Sequence, residues 1–380
     1  MNYRYFKPAK TQISLLGFGT MRFPLLSGNS NRIDEAEAIK MMRHAIDGGV
    51  NYVDTAYMYH DGNSEIVTGK ALKDGYREKV LLADKMPVWM AHSEEDLERI
   101  FDEQLKRLDV DSIDMYLIHN VTEAIWARAL KFNIFDFLER KKAEGKIRFI
   151  GFSFHDELPI FKTVIDAYAW DFCQIQLNYM DIKIQAGVAG LRYAGEKGIP
   201  VIVMEPLKGG KLTDALPDSI AKIWSGAEQK RSPAEWALKW VANFPEVLAI
   251  LSGMSAMAQV DENLTILSNA EPNSLTDKEI ALIEQVSNEY NRLTKVSCTS
   301  CQYCMPCPAK LPIPTLLNYY NEWFLYGQNP KIVNDFNMFI PAKVRPSACT
   351  GCRACEEKCP QHLPISDLMR DIAEAFEQIK

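Results

Sequence analysis

Cysteine is almost missing from most of this 380-residue chain: Cys173 is the only one before Cys298. Long apolar runs are missing as well, and none approaches the ~20 residues that a bilayer-spanning helix needs. The opening MNYRYFKPAK has no apolar core of the secretion-signal kind. Lys and Arg number 43 against 50 Asp and Glu, a net charge of -7, so there is no basic footprint for nucleic acid or an anionic membrane. These absences predict a cytoplasmic chain with neither nucleic acid nor membrane as partner. They also remove disulfides as the organising device.

What is present is an alternation of short apolar runs with longer amphipathic ones. Length alone allows two domains, although a (β/α)8 barrel of about 250 residues counts as one. Strands are expected at ISLLGFG from Ile13, Tyr52–Asp54, Val80–Lys85, Ile113–His119, Ile147–Phe152, Phe172–Leu177, Pro200–Met204 and Val247–Ser252. Helices fall between them: Asp34 with Glu37 has the spacing of a capping box, Ser93 caps a run with one apolar face, and Ser232-Pro233 opens another. Thr276 with Glu279 caps a last helix through Tyr290. Eight βα units predict a parallel sheet closed into a barrel. The rival is an open doubly wound sheet, which would want G-x-G-x-x-G after its first strand; GFGTMRF lacks it.

In a closed barrel the strand C-termini share one rim. That rim gathers Asp54 after strand two, Tyr59 in the loop behind it, Lys85 at the end of strand three and His119 at the end of strand four. Taken singly, each is an ordinary strand-end residue. In this order, in DTAYMY, LLADK and MYLIH, the set resembles the catalytic tetrad of the aldo-keto reductase superfamily. The resemblance covers about 280 residues and implies reduction of an aldehyde or ketone by hydride transfer, or the reverse, on a small carbonyl or alcohol substrate. Tyr59 is then the general acid/base. A free phenol near pKa 10 is a reluctant donor, and the Lys85 ammonium is expected to lower it. Asp54 keeps Lys85 charged and oriented, and His119 hydrogen-bonds the carbonyl oxygen. Tyr57, equally conspicuous, has no role in this scheme.

The same resemblance implies a nicotinamide cofactor, NADP or NAD, lying across the rim. Ser153 in GFSFH and Gln174 in CQIQLNY match residues that hold the carboxamide, with Asn178 on the same loop. Gly209 and Gly210 in MEPLKGGKL match the pyrophosphate loop. Ser252, Ser255, Gln259, Glu262 and Asn263 in LSGMSAMAQVDENL match the adenosine end. Three departures stand out. GMSAMAQ has no Lys or Arg for a 2′-phosphate, Met204 stands where many relatives stack a Tyr, and Phe154 replaces a frequent Asn. Trp89 and Trp126 are pocket-lining or core aromatics.

The remaining eight cysteines lie in two runs. Cys349, Cys352, Cys355 and Cys359 form C-x2-C-x2-C-x3-C-P, the spacing of bacterial 4Fe-4S ferredoxins, in which the fourth cysteine serves the other cluster. Cys298, Cys301, Cys304 and Cys307 form a run one residue shorter. Two 4Fe-4S clusters are the leading reading and two zinc sites the alternative. The aromatic stretch TLLNYYNEWFLYG suits a helical module. The expected layout is therefore α/β: residues 1–290 an aldo-keto reductase-like (β/α)8 TIM barrel, and residues 291–380 a small, mainly α-helical dicluster ferredoxin-like domain. The clusters are structural, redox-sensing, or in contact with a redox partner protein. The second functional reading is a nicotinamide-binding redox sensor or electron-transfer subunit that works with a flavoprotein.

Overall fold

Two short strands, β1 (Tyr3–Phe6) and β2 (Thr11–Ser14), pair antiparallel before the barrel begins. Eight parallel strands follow: β3 (Leu16–Gly19), β4 (Tyr52–Asp54), β5 (Leu81–Met86), β6 (Ile113–Val121), β7 (Ile147–Phe154), β8 (Phe172–Gln176), β9 (Val201–Met204) and β10 (Val247–Gly253). They close as a barrel in the order β10-β3-β4-β5-β6-β7-β8-β9. The computed structural model describes every residue except 27–31, 214–215, 299–300, 329 and 378–380.

The run ISLLGFG is thus not one strand. Its first two residues finish the β1–β2 hairpin, and the barrel strand starts only at Leu16. Ser14 makes the break: its backbone N–H goes to the Asn51 side chain, and its hydroxyl donates to the Leu16 carbonyl. The hairpin delivers Phe6, fully buried, into the barrel interior, edge-on to Phe149 and Phe172 at 5.1 and 6.4 Å. A buried Phe contributes about 1.5–3 kcal/mol. Phe149 and Phe172 lie toward the N-terminal ends of β7 and β8, so the hairpin closes that end of the barrel.

Two of the expected helix starts are capped by the expected side chain, although at Asp34 only half of the capping box forms, its N–H going to the Pro24 carbonyl instead of Glu37. Asp34 accepts from the Glu37 N–H at 3.2 Å, and Ser232 from the Glu235 N–H at 3.1 Å, each worth about 1 kcal/mol. Ser93 occupies a cap position without such a bond; there Asp96 takes the His92 N–H at 2.8 Å instead. The helices Glu123–Lys131 and Asp218–Ser225 were not anticipated.

The chain divides into two compact units. One holds residues 1–213 and 231–276, with the hairpin and the barrel; the other holds residues 214–230 and 277–380. The helix Asp277–Leu293 groups with the tail in this division. In the second unit the aromatic stretch is the helix Ile313–Leu325, and Leu316, Leu317, Phe336, Ile365, Met369, Ile372 and Phe376 form a core of their own. No helix among the described residues is long and apolar enough to cross a membrane.

Candidate active site and cysteine sites

Side chains alternate along β5. Leu81, Ala83 and Lys85 face the barrel interior, while Leu82, Asp84 and Met86 face the helices. Lys85, fully buried, brings its ammonium 2.5 Å from Asp54 Oδ1 and donates to the Thr55 carbonyl at 2.7 Å. The same ammonium lies 5.1 Å from the centre of the Tyr59 ring. Asp54 also accepts from Gln174 Nε2 at 2.9 Å and from the Tyr52 hydroxyl at 3.4 Å. Burial pushes the Lys85 pKa down, but Asp54, Tyr59 and Asp84 outweigh it, and the ammonium stands above its ordinary value.

Tyr59 sits on a 3-10 turn, with His60 and Asp61 behind it in the left-handed region. Burial raises its phenol above the usual tyrosine range, and Lys85 pulls against that rise without reversing it. Lys85 thus acts on the phenol in the direction the sequence implies, while desolvation, the larger effect, leaves the net shift upward. His119 lies edge-on to Tyr59, ring centres 6.1 Å apart. Burial, with Lys85 and then His155 adding to it, holds the imidazole well below its ordinary pKa. His119 is thus neutral near pH 7, and its buried Nδ1 has no hydrogen-bond partner. Trp89 packs 5.1 Å from the His119 ring at the site. Trp126 instead packs among Phe135 and Trp170 in the core. Tyr57 donates to Glu103 at 2.6 Å, away from the tetrad.

The residues expected to hold a cofactor divide by what they have left to give. Gln174 uses its amide N–H on Asp54 but keeps Oε1 buried and unpartnered, the feature a bound carboxamide N–H would satisfy. Ser153 is buried and accepts from the Asn120 N–H at 2.8 Å. Asn178 is saturated: Nδ2 donates to Asp181 and to the Glu205 carbonyl, and Oδ1 accepts from the Met180 and Asp181 N–H groups. It shapes the loop and has nothing left for a carboxamide. Gly209 and Gly210 both have positive φ, and a Cβ on Gly209 would meet the Arg22 guanidinium. Asn263 donates to Ser252 at 3.0 Å, whereas Glu262 takes the hydroxyl of Ser232. Gln259 Oε1 fills the turn ahead of the helix Met257–Ser268, accepting from the Ser255 N–H at 2.8 Å and the Ala256 N–H at 3.3 Å.

Tyr52, the Thr55 carbonyl and the Gln174–Asp54 bond were not foreseen. Only the period-two pattern of the strands hinted at them, by placing Tyr52 and Asp54 on one face.

In the second unit, Cys298, Cys301, Cys304 and Cys359 line one cavity together with Gln302, Leu317 and Gln361. Three thiols of the first run are thus joined by the last thiol of the second. Burial, with Cys301, Cys298 and Cys359 nearby, pushes the Cys304 thiol up to about 12. Cys355 has Cys307 and Cys349 as its cysteine neighbours, and burial raises it too. Asn321 pins the approach to the first run: its side chain accepts from the Val296 N–H at 2.8 Å and donates to the Val296 carbonyl at 2.6 Å. Among the described residues, no three His, Cys, Asp or Glu side chains converge tightly enough for a single metal ion.

A barrel with Asp, Tyr, Lys and His on one rim defines a class, and comparison gives it its name. The aldo/keto reductase family matches residues 15–288, and the chain belongs to that family; a 4Fe-4S dicluster domain matches residues 297–363. It is an oxidoreductase. It is 26% identical over 302 residues to an L-galactose dehydrogenase of Arabidopsis thaliana, covering 74% of this chain and 93% of that one. It is also 26% identical over 325 residues to an NADH-specific methylglyoxal reductase of Escherichia coli, at 74% and 96% coverage. Among solved structures, an aldo-keto reductase of Bacillus halodurans in holo form superposes with a TM-score of 0.63 at 26% identity, covering 75% and 96% of the two chains. One of Klebsiella pneumoniae in complex with NADPH gives 0.61 at 25% identity, covering 76% and 96%.

Proposed function

We propose that the chain reduces a small aldehyde or ketone, or oxidises the matching alcohol, with Tyr59 as general acid/base, and that it carries two 4Fe-4S clusters. The observation that carries the catalytic part is the Lys85 ammonium, buried, fixed by Asp54 and Thr55, and 5.1 Å from the Tyr59 ring. A bound nicotinamide would supply the hydride. The protein's part is then to meet negative charge growing on the substrate oxygen. Tyr59 delivers its proton there, and Lys85 stabilises the phenolate left behind. Neutral His119 orients the oxygen by hydrogen bonding, an electrostatic contribution fixed before the reaction starts. The orphaned Gln174 Oε1 and the buried Ser153 hydroxyl are the groups that would hold the carboxamide.

NADH suits the adenosine end better than NADPH. The N–H groups of Ser255 and Ala256 are already taken by the neutral Gln259 side chain, and the stretch Gly253–Gln259 has no cation for a 2′-phosphate. Relatives of similar identity divide on this point: the Escherichia coli reductase is NADH-specific, whereas the Klebsiella pneumoniae structure holds NADPH. In the tail, Cys298, Cys301, Cys304 and Cys359 would hold one cluster, and Cys307 with Cys349, Cys352 and Cys355 the other. Four thiols around a cavity fit a multi-iron cluster better than a zinc, which draws its sulfurs to about 2.3 Å from one point. The clusters would supply one-electron chemistry.

The test is turnover of an aldehyde panel by anaerobically prepared full-length protein, with NADH and NADPH compared. Tyr59→Phe should reduce kcat by 10²-fold or more while leaving cofactor binding intact. An unchanged rate would remove Tyr59 from the role.

A further inference from the structure

Behind the tetrad, on the outer face of β5, lies a second cluster of buried charge. Asp84 and Glu65 are both fully buried. Asp84 Oδ1 accepts the Lys85 N–H at 2.8 Å, and Glu65 Oε2 pairs with Arg107 at 2.8 Å. Each acid then has one oxygen left, Asp84 Oδ2 and Glu65 Oε1, buried and without a partner. The two side chains lie within hydrogen-bonding reach of each other, and their orphaned oxygens are satisfied together by a single proton between them.

Charge balance points the same way. The buried acids here are Asp54, Glu65 and Asp84; the cations are Lys85, which serves Asp54, and Arg107, which serves Glu65 and the more exposed Glu103. Among the described residues no ion pair reaches Asp84. By contrast Asp114, the acid near the start of β6, has both Arg77 and Arg148. An unpaired ionised carboxylate in this position is too costly to keep.

The cluster grips the catalytic elements from outside. Gln104 donates to the Lys85 carbonyl at 3.0 Å and accepts from the Tyr116 hydroxyl at 2.5 Å. Arg107 donates to the Tyr57 carbonyl at 3.1 Å, lies over the Tyr57 ring, and fills the space where a Cβ on Gly62 would go. It therefore touches the Tyr59 loop on both sides of the tyrosine. The groups facing the pair are Arg107, Glu103 and Gln104 from the helix Glu94–Leu108, Tyr116 from β6, and the backbone N–H of Lys85 on β5, whose ammonium acts from the barrel side.

We propose that Glu65 and Asp84 share one proton and act as positioning residues, bracing Lys85 and the Tyr59 loop, and that the brace loosens when the proton leaves. The role rests on the assignment of Tyr59 and Lys85 above; the shared proton does not. Burial first, then the Glu65 charge, holds Asp84 well above the usual carboxylate range. The folded pair thus keeps a proton that the unfolded chain loses above about pH 5. Stability contributed by the pair is present at low pH and falls as pH rises, by up to about tenfold in the folding constant per pH unit.

Asp84→Asn separates the possibilities, because its amide N–H can stand in for the shared proton while its oxygen still accepts from Lys85. Thermal midpoints of full-length wild type and D84N are measured from pH 6 to 9, alongside kcat against pH. The wild-type midpoint should fall more steeply than that of D84N, and the alkaline limb of kcat should move up by at least 1 pH unit in D84N. Parallel midpoints, or failure of D84N to fold at pH 7, overturn the shared proton. Diverging midpoints with superimposable kcat profiles overturn the brace. A wild type without carbonyl turnover sinks the catalytic assignment, and the brace with it, while the midpoints still decide the proton.

Discussion

Gln174 on β8 reaches across the barrel to Asp54 on β4 and donates to Oδ2 at 2.9 Å, which leaves Gln174 Oε1 buried and unpaired. One side chain therefore ties the charge-holding carboxylate of the tetrad to the surface on which a carboxamide would lie. Gln174→Leu should raise KM for the nicotinamide about tenfold or more, the worth of a net hydrogen bond of ~1.5 kcal/mol. It should also lower kcat, because Asp54 loses a donor. Steady-state kinetics with the two constants resolved would show this; a change in neither would separate Gln174 from the cofactor.

Lys85→Met should damage both activity and stability. It strands Asp54 in a buried site with only Gln174 and Tyr52 as donors, and breaking a buried ion pair costs about 3–5 kcal/mol. Lys85→Met combined with Asp54→Leu should recover much of the lost thermal midpoint and none of the rate. Equal midpoints for the single and double variants would contradict the pairing.

The acid side of the pH profile follows from the histidines. His119 lies well below its ordinary pKa, and burial lowers His155 to about 4. Both are neutral in the folded protein while unfolded histidine takes up a proton below about pH 6.5. The stability that these two histidines contribute should therefore be lost as pH drops from 6.5 toward 4, opposite in sign to the Glu65–Asp84 pair, whereas kcat for reduction should stay flat between pH 5.5 and 7. A kcat titration centred near 6.5 would show that His119 is exposed to solvent protons.

Cofactor choice is open to a single substitution. Gln259→Arg removes the acceptor that occupies the Ser255 and Ala256 N–H groups and supplies a cation at the start of the helix Met257–Ser268. KM for NADPH should fall at least tenfold relative to that for NADH, in line with a charge-assisted bond. A constant ratio would place the adenosine end elsewhere.

The crossed cysteine arrangement predicts a pattern of non-additive losses. Cys359→Ser should remove about half the iron and disturb the cluster of Cys298, Cys301 and Cys304. Adding Cys301→Ser should remove little more, while adding Cys352→Ser should remove the rest. Iron assay with electron paramagnetic resonance after reduction distinguishes these outcomes.

The barrel and the meeting of Asp54, Tyr59, Lys85 and His119 on one rim could be read from the chain because each depends on local pattern: apolar strands of defined length, with Asp54, Lys85 and His119 toward their C-terminal ends. What escaped depends on long-range geometry. Nothing near Gln174 announces Asp54, 120 residues away, and nothing in LLADK says that Asp84 meets Glu65. Asn178 and Gln259 were recognised by position, yet only the hydrogen bonds show that their polar groups are already engaged. The β1–β2 hairpin was hidden because Ile13 through Gly19 reads as one apolar run broken only by Ser14, while the backbone bends at Leu15 between two strands.

The buried Phe6 has a consequence for traffic. With one end of the barrel stoppered by the hairpin, everything that reaches Tyr59 must come and go through the opposite mouth. On the proposed reading, a dinucleotide and a carbonyl compound would both approach Tyr59 from that side. The ring of Phe6 thus makes the N-terminal end of the barrel part of the packed core, closed to anything arriving from solvent.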